Sequence, residues 1–193
     1  MPRTKDTPPA RERLVATACR LFYSEGIRAV GIDRVIAEAG IAKATLYAHF
    51  PSKDDLIVAV LRYRDETFTA FFDERLTRHA KRTGDRLRAL FATLKEWFES
   101  EDFRGCAFIN AAVELADPNH PGMAEVRGHK ARFQELVAGV VATAVGRPVR
   151  ATAAGVNLLI EGAIVVAQMQ GDSAAADSAL EAAVALVNCA RGR

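Results

Sequence analysis

Residues 39–56 read AGIAKATLYAHFPSKDDL. Within this stretch the chain turns, forms a very short helix, breaks and starts another. Just before it, Ile32, Val35, Ile36 and Ala39 repeat at helical spacing, and Gly40 stops the run after about eight residues. A helix that short is marginal alone and needs neighbours. In AKATLYAHF (42–50), Leu46 and Phe50 are four apart and share one face. Pro51-Ser52-Lys53-Asp54-Asp55 then opens a longer helix. Ser52 can cap it, Asp55 completes a capping-box pattern, and both aspartates suit the positive helix start.

Working outward, PARERLVATACRLFYSEG (9–26) sets Leu14, Ala18, Leu21 and Phe22 on one helical stripe ended by Gly26. The first seven residues read as a flexible arm closed by Pro8-Pro9. From Leu56 the helical period runs past Phe68, Phe72 and Leu76 towards Lys81. Further helices are predicted near 84–100, 105–116, 123–145, 150–170 and 174–190, with breaks at Gly84, 117–122, 146–148 and 171–173. No strand alternation of useful length occurs. The expected fold is all-α, with about nine helices in two parts: a short-helix domain at 8–53, and a longer helical domain at 54–193 to which the resemblance given below assigns effector binding and dimerisation.

Half of the 193 residues are hydrophobic (50%) and 26% are charged, a soluble globular balance. Residues 1–53 carry nine Lys/Arg against five Asp/Glu, and the rest seventeen against nineteen. The basic end therefore suits a polyanion. Three scattered cysteines, Cys19, Cys106 and Cys189, with no Cys/His ligand spacing, argue against a disulfide framework or a metal site and fit a reducing cytoplasm. The N-terminus lacks the apolar core of a secretory signal. Residues 151–170 are interrupted by Asn157 and Glu161 and read as a poor bilayer span, so no membrane partner is expected. No cofactor is expected either.

Two short helices around a tight glycine turn form a helix-turn-helix, whose second helix enters the major groove of DNA. Turning about 100° per residue from Leu46 leaves Phe50 on the same side, facing the first helix. Ala44, Thr45, Tyr47 and Ala48 point away, flanked by Lys43 and His49. Small residues let such a helix sit deep, Thr45 can touch a base edge, Tyr47 and His49 can reach phosphate, and Lys43 can reach either. Lys53 adds charge beside the free amides of a helix start.

GIRAVGIDRVIAE followed by AGIAKATLYAHFPSKDDL resembles the DNA-binding region of the TetR family of transcriptional regulators, over roughly residues 10–60. The resemblance implies a homodimer with an all-helical C-terminal ligand domain that represses transcription. It assigns DNA contact to Lys43, Ala44, Thr45, Tyr47, His49 and Lys53, and adds Ile32 and Arg34 at the start of the second helix. The sequence departs from the family pattern at Val30, Gly31 and Ala42, where hydroxyl residues are frequent, so side-chain caps are expected to be missing there.

The C-terminal part resembles a family ligand domain in general pattern only. Its candidate effector-lining residues are Trp97, Phe98, Phe103, Cys106, Phe108, Ile109, Asn110, Glu114, His129 and Phe133, mostly apolar with few polar groups. Asn110 and Glu114 share a helical face and could orient a ligand or bond each other. ATAAGVNLLIEGAIVVAQMQ (151–170) is apolar nearly all round and must be covered on most sides. With ALEAAVALVNCA (179–190) it predicts a two-fold, four-helix interface using Gly155, Leu158, Leu159, Gly162, Val166, Leu180, Val184 and Val187. The expected partners are therefore a double-stranded operator, a second copy of the chain and an unidentified small molecule. The expected mechanism sets two recognition helices in successive major grooves of a near-palindrome, about 34–36 Å apart or somewhat more. The rival readings are a constitutive DNA-binding protein without effector, and a helical enzyme using Cys106, Glu114 and His129.

Overall fold

The computed structural model describes residues 8–192. The arm expected at residues 1–7 lies outside the described residues. Nine helices occur among those described: α1 Ala10–Glu25, α2 Ile32–Ala39, α3 Lys43–His49, α4 Lys53–Thr83, α5 Arg86–Phe98, α6 Ala107–Leu115, α7 Gly122–Val145, α8 Arg150–Gln170 and α9 Ala174–Arg191. No strand occurs among the described residues. The all-α class and the breaks between helices are as the periodicity predicts.

The chain forms two compact units. One holds the residues up to Glu66 together with Ala107–Arg127, and the other Thr67–Cys106 together with the residues from Gly128. The division expected from sequence, at residue 53, is linear. The observed one returns α6 and the start of α7 to the N-terminal unit.

In the first unit Leu14, Ala18 and Leu21 of α1, Val35 of α2, Leu46 of α3 and Leu56 of α4 are fully buried in one core. The turn between α2 and α3 is set by Gly40, at φ 61° and ψ 44°. Its amide donates to the Ala37 carbonyl and the Ile41 amide donates to that of Ile36 (3.3 and 3.1 Å). This pattern closes a helix through a left-handed residue, where glycine carries no Cβ penalty. Arg13 of α1 donates to the Gly40 carbonyl and ties the turn to the scaffold. The capping box at α4 forms in full. Asp55 N–H donates to Ser52 Oγ at 3.1 Å, and Ser52 N–H to the Asp55 carboxylate at 3.0 Å.

In the second unit α8 packs along α9, and both meet α5. Asp85 caps α5 by accepting from the Leu87 and Arg88 amides. Lys130 of α7 donates to both oxygens of Glu161 on α8. By length and composition alone α8 is apolar enough to cross a bilayer, a test that the core helix of a folded domain also passes. In the fold its Val156, Ile160, Ala163 and Ala167 are buried.

Candidate nucleic-acid interface

The two faces of α3 separate as its sequence requires. Leu46 and the following Phe50 are buried, while Lys43, Ala44, Tyr47, Ala48 and His49 are exposed and Thr45 is half-buried. Tyr47 leaves 44% of its surface in solvent. Neither short helix has a side-chain cap: Gly31 and Ala42 take the capping positions in extended conformation without one. The amide-rich starts of α2 and α3 are therefore left to other acceptors.

The cations expected at DNA are not equally placed. Lys43 Nζ lies 2.9 Å from the Asp33 carboxylate on α2, both side chains being exposed. That hydrogen bond raises the Lys43 pKa above its ordinary value. Arg34 reaches Glu38 one turn on and Glu25 at 3.3 Å, and Arg20 also binds Glu38. Ile32 is half-buried at the first position of α2. Lys53 is turned inward: its ammonium donates to the Ile27 carbonyl at 2.6 Å and lies 5.8 Å from the Phe22 ring centre. Burial pushes its pKa down, against the pull of Glu114 and Asp54.

One participant escaped the sequence reading in this role. Glu114, near the end of α6, accepts the Arg28 amide at 2.9 Å in the loop between α1 and α2. It had been paired with Asn110 as a ligand-orienting residue, but its carboxylate is engaged on this loop. Nothing local to FINAAVEL reveals a partner 86 residues away.

Of the other effector-lining candidates, Trp97, Phe98, Phe103 and Phe133 come together in the second unit. Trp97 meets Phe103 at 5.2 Å and Phe98 at 5.7 Å, Phe98 meets Phe103 at 5.1 Å, and Phe133 meets Phe72 at 5.4 Å. Phe68, one turn before Phe72 on α4, joins them by contacting Trp97, Phe72 and the buried His129. The i, i+4 spacing of Phe68 and Phe72 was the available signal for these two. Cys106 is buried with its thiol free, and Ile109 and Asn110, like Phe108, belong to α6 in the first unit. Asn157 of α8 is buried, and its Oδ1 has no hydrogen-bond partner. Among the described residues no group of His, Cys, Asp and Glu could hold a metal ion.

The interface candidates of α8 and α9 divide. Leu158 (72% exposed), Gly162 and Val166 line an outward stripe that Met169 (80% exposed) extends, and Leu186 of α9 is also exposed. Leu159, Leu180 and Val184 are half-buried. Two expectations need correction. Val187 is only 2% exposed and packs inside the unit with Ala183 and Ala190, so the outward register of α9 falls on Ala182, Leu186 and Cys189 instead. At Gly155 a Cβ would lie 3.2 Å from Leu186 Cδ1, so its smallness admits α9 of the same chain.

Residues 14–60 match the model of "Bacterial regulatory proteins, tetR family", and residues 83–183 match that of "Tetracyclin repressor-like, C-terminal domain". The structure resembles SCO4454, a TetR-family transcriptional regulator from Streptomyces coelicolor, with a TM-score of 0.82 and 33% identity over 94% of this chain and 96% of that one. It also resembles a TetR-type regulator from Streptomyces avermitilis, with a TM-score of 0.74 and 26% identity over 91% and 98% of the two chains. An HTH-type transcriptional regulator of Staphylococcus aureus (strain USA300) is 34% identical over 70 residues, which span 36% of this chain and 38% of the relative. With a helix-turn-helix and a helical C-terminal part both matched along nearly the whole length, the chain belongs to the TetR family and is a DNA-binding transcriptional regulator rather than an enzyme.

Proposed function

We propose that the protein is a ligand-responsive repressor that binds a near-palindromic operator as a homodimer and is released by a small, largely apolar effector. The observation that carries the DNA half is the division of α3, with its aliphatic side in the core and Lys43, Ala44, Tyr47 and His49 outside. The exposed stripe of Leu158, Gly162, Val166 and Met169 supports the dimer, because an apolar strip on a regular helix is stable in water only when covered. A second copy related by a two-fold axis covers it with the same surface. The aromatic group around Trp97 suits a largely apolar effector. Release then requires the effector to bind the DNA-free state more tightly. Such coupling is typically about 1–3 kcal/mol.

The test is genomic footprinting with the intact protein, followed by binding of the recovered operator. Tyr47→Ala is expected to weaken binding while leaving a folded dimer. Parent-like affinity in that variant would remove α3 from the groove.

One observation favours the effector-free alternative. The rings of the aromatic group already touch one another at 5.0–5.7 Å between centres. A regulator whose core is filled in this way would show operator affinity indifferent to a panel of apolar compounds.

A further inference from the structure

Glu114 sits where local electrostatics disfavour it. It lies in the last turn of α6, at the negative end of the helix dipole, where cations rather than carboxylates are stabilised. The chain leaves the helix through Ala116 at φ 55°, the one non-glycine residue with positive φ among those described. A side chain with a Cβ adopts that conformation at a cost. A carboxylate in this position needs a partner elsewhere, and the partner is the loop between α1 and α2.

Backbone accounting for that loop shows what holds it. The Arg28 N–H donates to Glu114 Oε2 at 2.9 Å, and the neighbouring Ile27 carbonyl accepts from Lys53 Nζ at 2.6 Å. Across it the Val30 N–H donates to the Gly26 carbonyl at 3.3 Å. Gly26 makes room for the carboxylate: at φ 97° it has no Cβ, and one built there would lie 3.0 Å from Glu114 Oε2. The loop runs directly into Gly31 and the start of α2, which has no side-chain cap of its own. The loop that delivers the chain to the first amides of α2 is thus held by α6 and α4.

We propose that Glu114 is a positioning residue for DNA binding: through its hydrogen bond to the Arg28 amide it fixes the loop that aims the N-terminal end of α2. This rests on the reading of the chain as an operator-binding regulator. The acceptor oxygen matters here more than the charge. Its removal hands the exposed Arg28 amide to water and leaves the loop free to shift.

The experiment measures operator affinity for the full-length chain and for Glu114→Gln, Glu114→Asp and Glu114→Ala, together with thermal unfolding and hydrogen exchange at the Arg28 amide. Recovery of an operator with the parent chain tests the regulator reading by itself. Glu114→Gln keeps an acceptor of the same reach and is expected to bind within about threefold of the parent. Glu114→Asp keeps the charge but falls one methylene short. It is expected to bind about tenfold more weakly, with faster Arg28 exchange and an unfolding temperature close to that of the parent. Glu114→Ala is expected to follow Asp. Parent-like affinity in the Asp variant overturns the proposal, and so does a Gln variant as weak as the Asp one. Should Ala fail to fold, the Gln and Asp pair still decides.

Discussion

The Lys43 ammonium, on the first residue of α3, lies 2.9 Å from the Asp33 carboxylate in the first turn of α2. The pair joins the two short helices across the surface expected to meet DNA. In free protein it is worth little, because solvent screens exposed ion pairs and holding two side chains together costs entropy. Next to a polyanion its balance changes. Lys43 must exchange a carboxylate for a phosphate, and Asp33 is left as a repulsive charge. Asp33→Asn is therefore expected to tighten operator binding by about twofold to tenfold. Lys43→Ala is expected to weaken it for all sequences alike if the contact is to phosphate, and to lower the slope of log K against log salt by about one. Fluorescence anisotropy titrations over a salt series measure both. An unchanged slope in Lys43→Ala would mean that this lysine never reaches the backbone.

The start of α4 rests on the reciprocal bonds of Ser52 and Asp55. Losing an N-cap hydroxyl costs about 0.5–2 kcal/mol. Ser52→Ala is expected to fall in that range by urea denaturation, while Ser52→Asp retains most of the stability because an aspartate caps as well. A Ser52→Ala variant as stable as the parent would show that Leu56 and Ile57, packed in the core just beyond, fix the helix start without the cap.

The parts of the fold legible in the sequence are those with local causes. The eight-residue α2, the stop at Gly40, the box at Ser52 and Asp55 and the split faces of α3 each follow from residues within a turn or two of one another. What was not legible depends on distant partners or on a missing pattern. Glu114 reads as one polar residue among apolar ones, and its role appears only when the fold brings the Arg28 amide to it. In α9 small and apolar residues occupy nearly every side, so period alone could not choose between Val187 and Leu186 as the outward residue. Gly155 and Gly162 look equivalent in sequence, but one meets Leu186 of its own chain and the other has nothing within 4 Å. Lys53 reads in sequence as a DNA contact beside the free amides of a helix start, whereas in the fold its ammonium donates to the Ile27 carbonyl, 26 residues away.

Glu96 gives the second unit an acid-sensitive joint. Arg78 donates to both its oxygens at 2.6 Å, and His79 approaches at 2.8 Å and Arg75 at 3.3 Å. These partners, chiefly the Arg78 hydrogen bond, lower its pKa from 4.5 to about 2. A carboxylate with a folded pKa below its unfolded one binds more protons when unfolded. Its contribution to stability is thus complete above pH 4.5 and is lost as pH falls from there to about 2. The side chain is about one-third exposed, so solvent screening holds the contribution to roughly 1 kcal/mol. Glu96→Gln is expected to cost about that much at pH 7 and almost nothing near pH 2, as read by urea unfolding at several pH values. A parallel offset at every pH would assign the loss to packing instead.

The last prediction separates the two registers of the C-terminal helices. Leu158 and Met169 are 72% and 80% exposed on α8, whereas Val187 of α9 is 2% exposed. If a second copy covers the α8 stripe, a two-fold axis brings each substitution into the interface twice. Leu158→Asp then buries two like charges against apolar surface, with no partner for either. The protomer itself keeps its core, because the same side chain in an isolated chain faces water. Leu158→Asp and Met169→Asp are therefore expected to give folded monomers by sedimentation, with parent-like helix content and operator affinity reduced by at least about a hundredfold once the second half-site contact is lost. Val187→Asp is expected to unfold the second unit instead, since it drives a carboxylate into a packed interior. A Leu158→Asp protein that remains dimeric would move the interface elsewhere, and a folded Val187→Asp monomer would restore that residue to the outer face of α9.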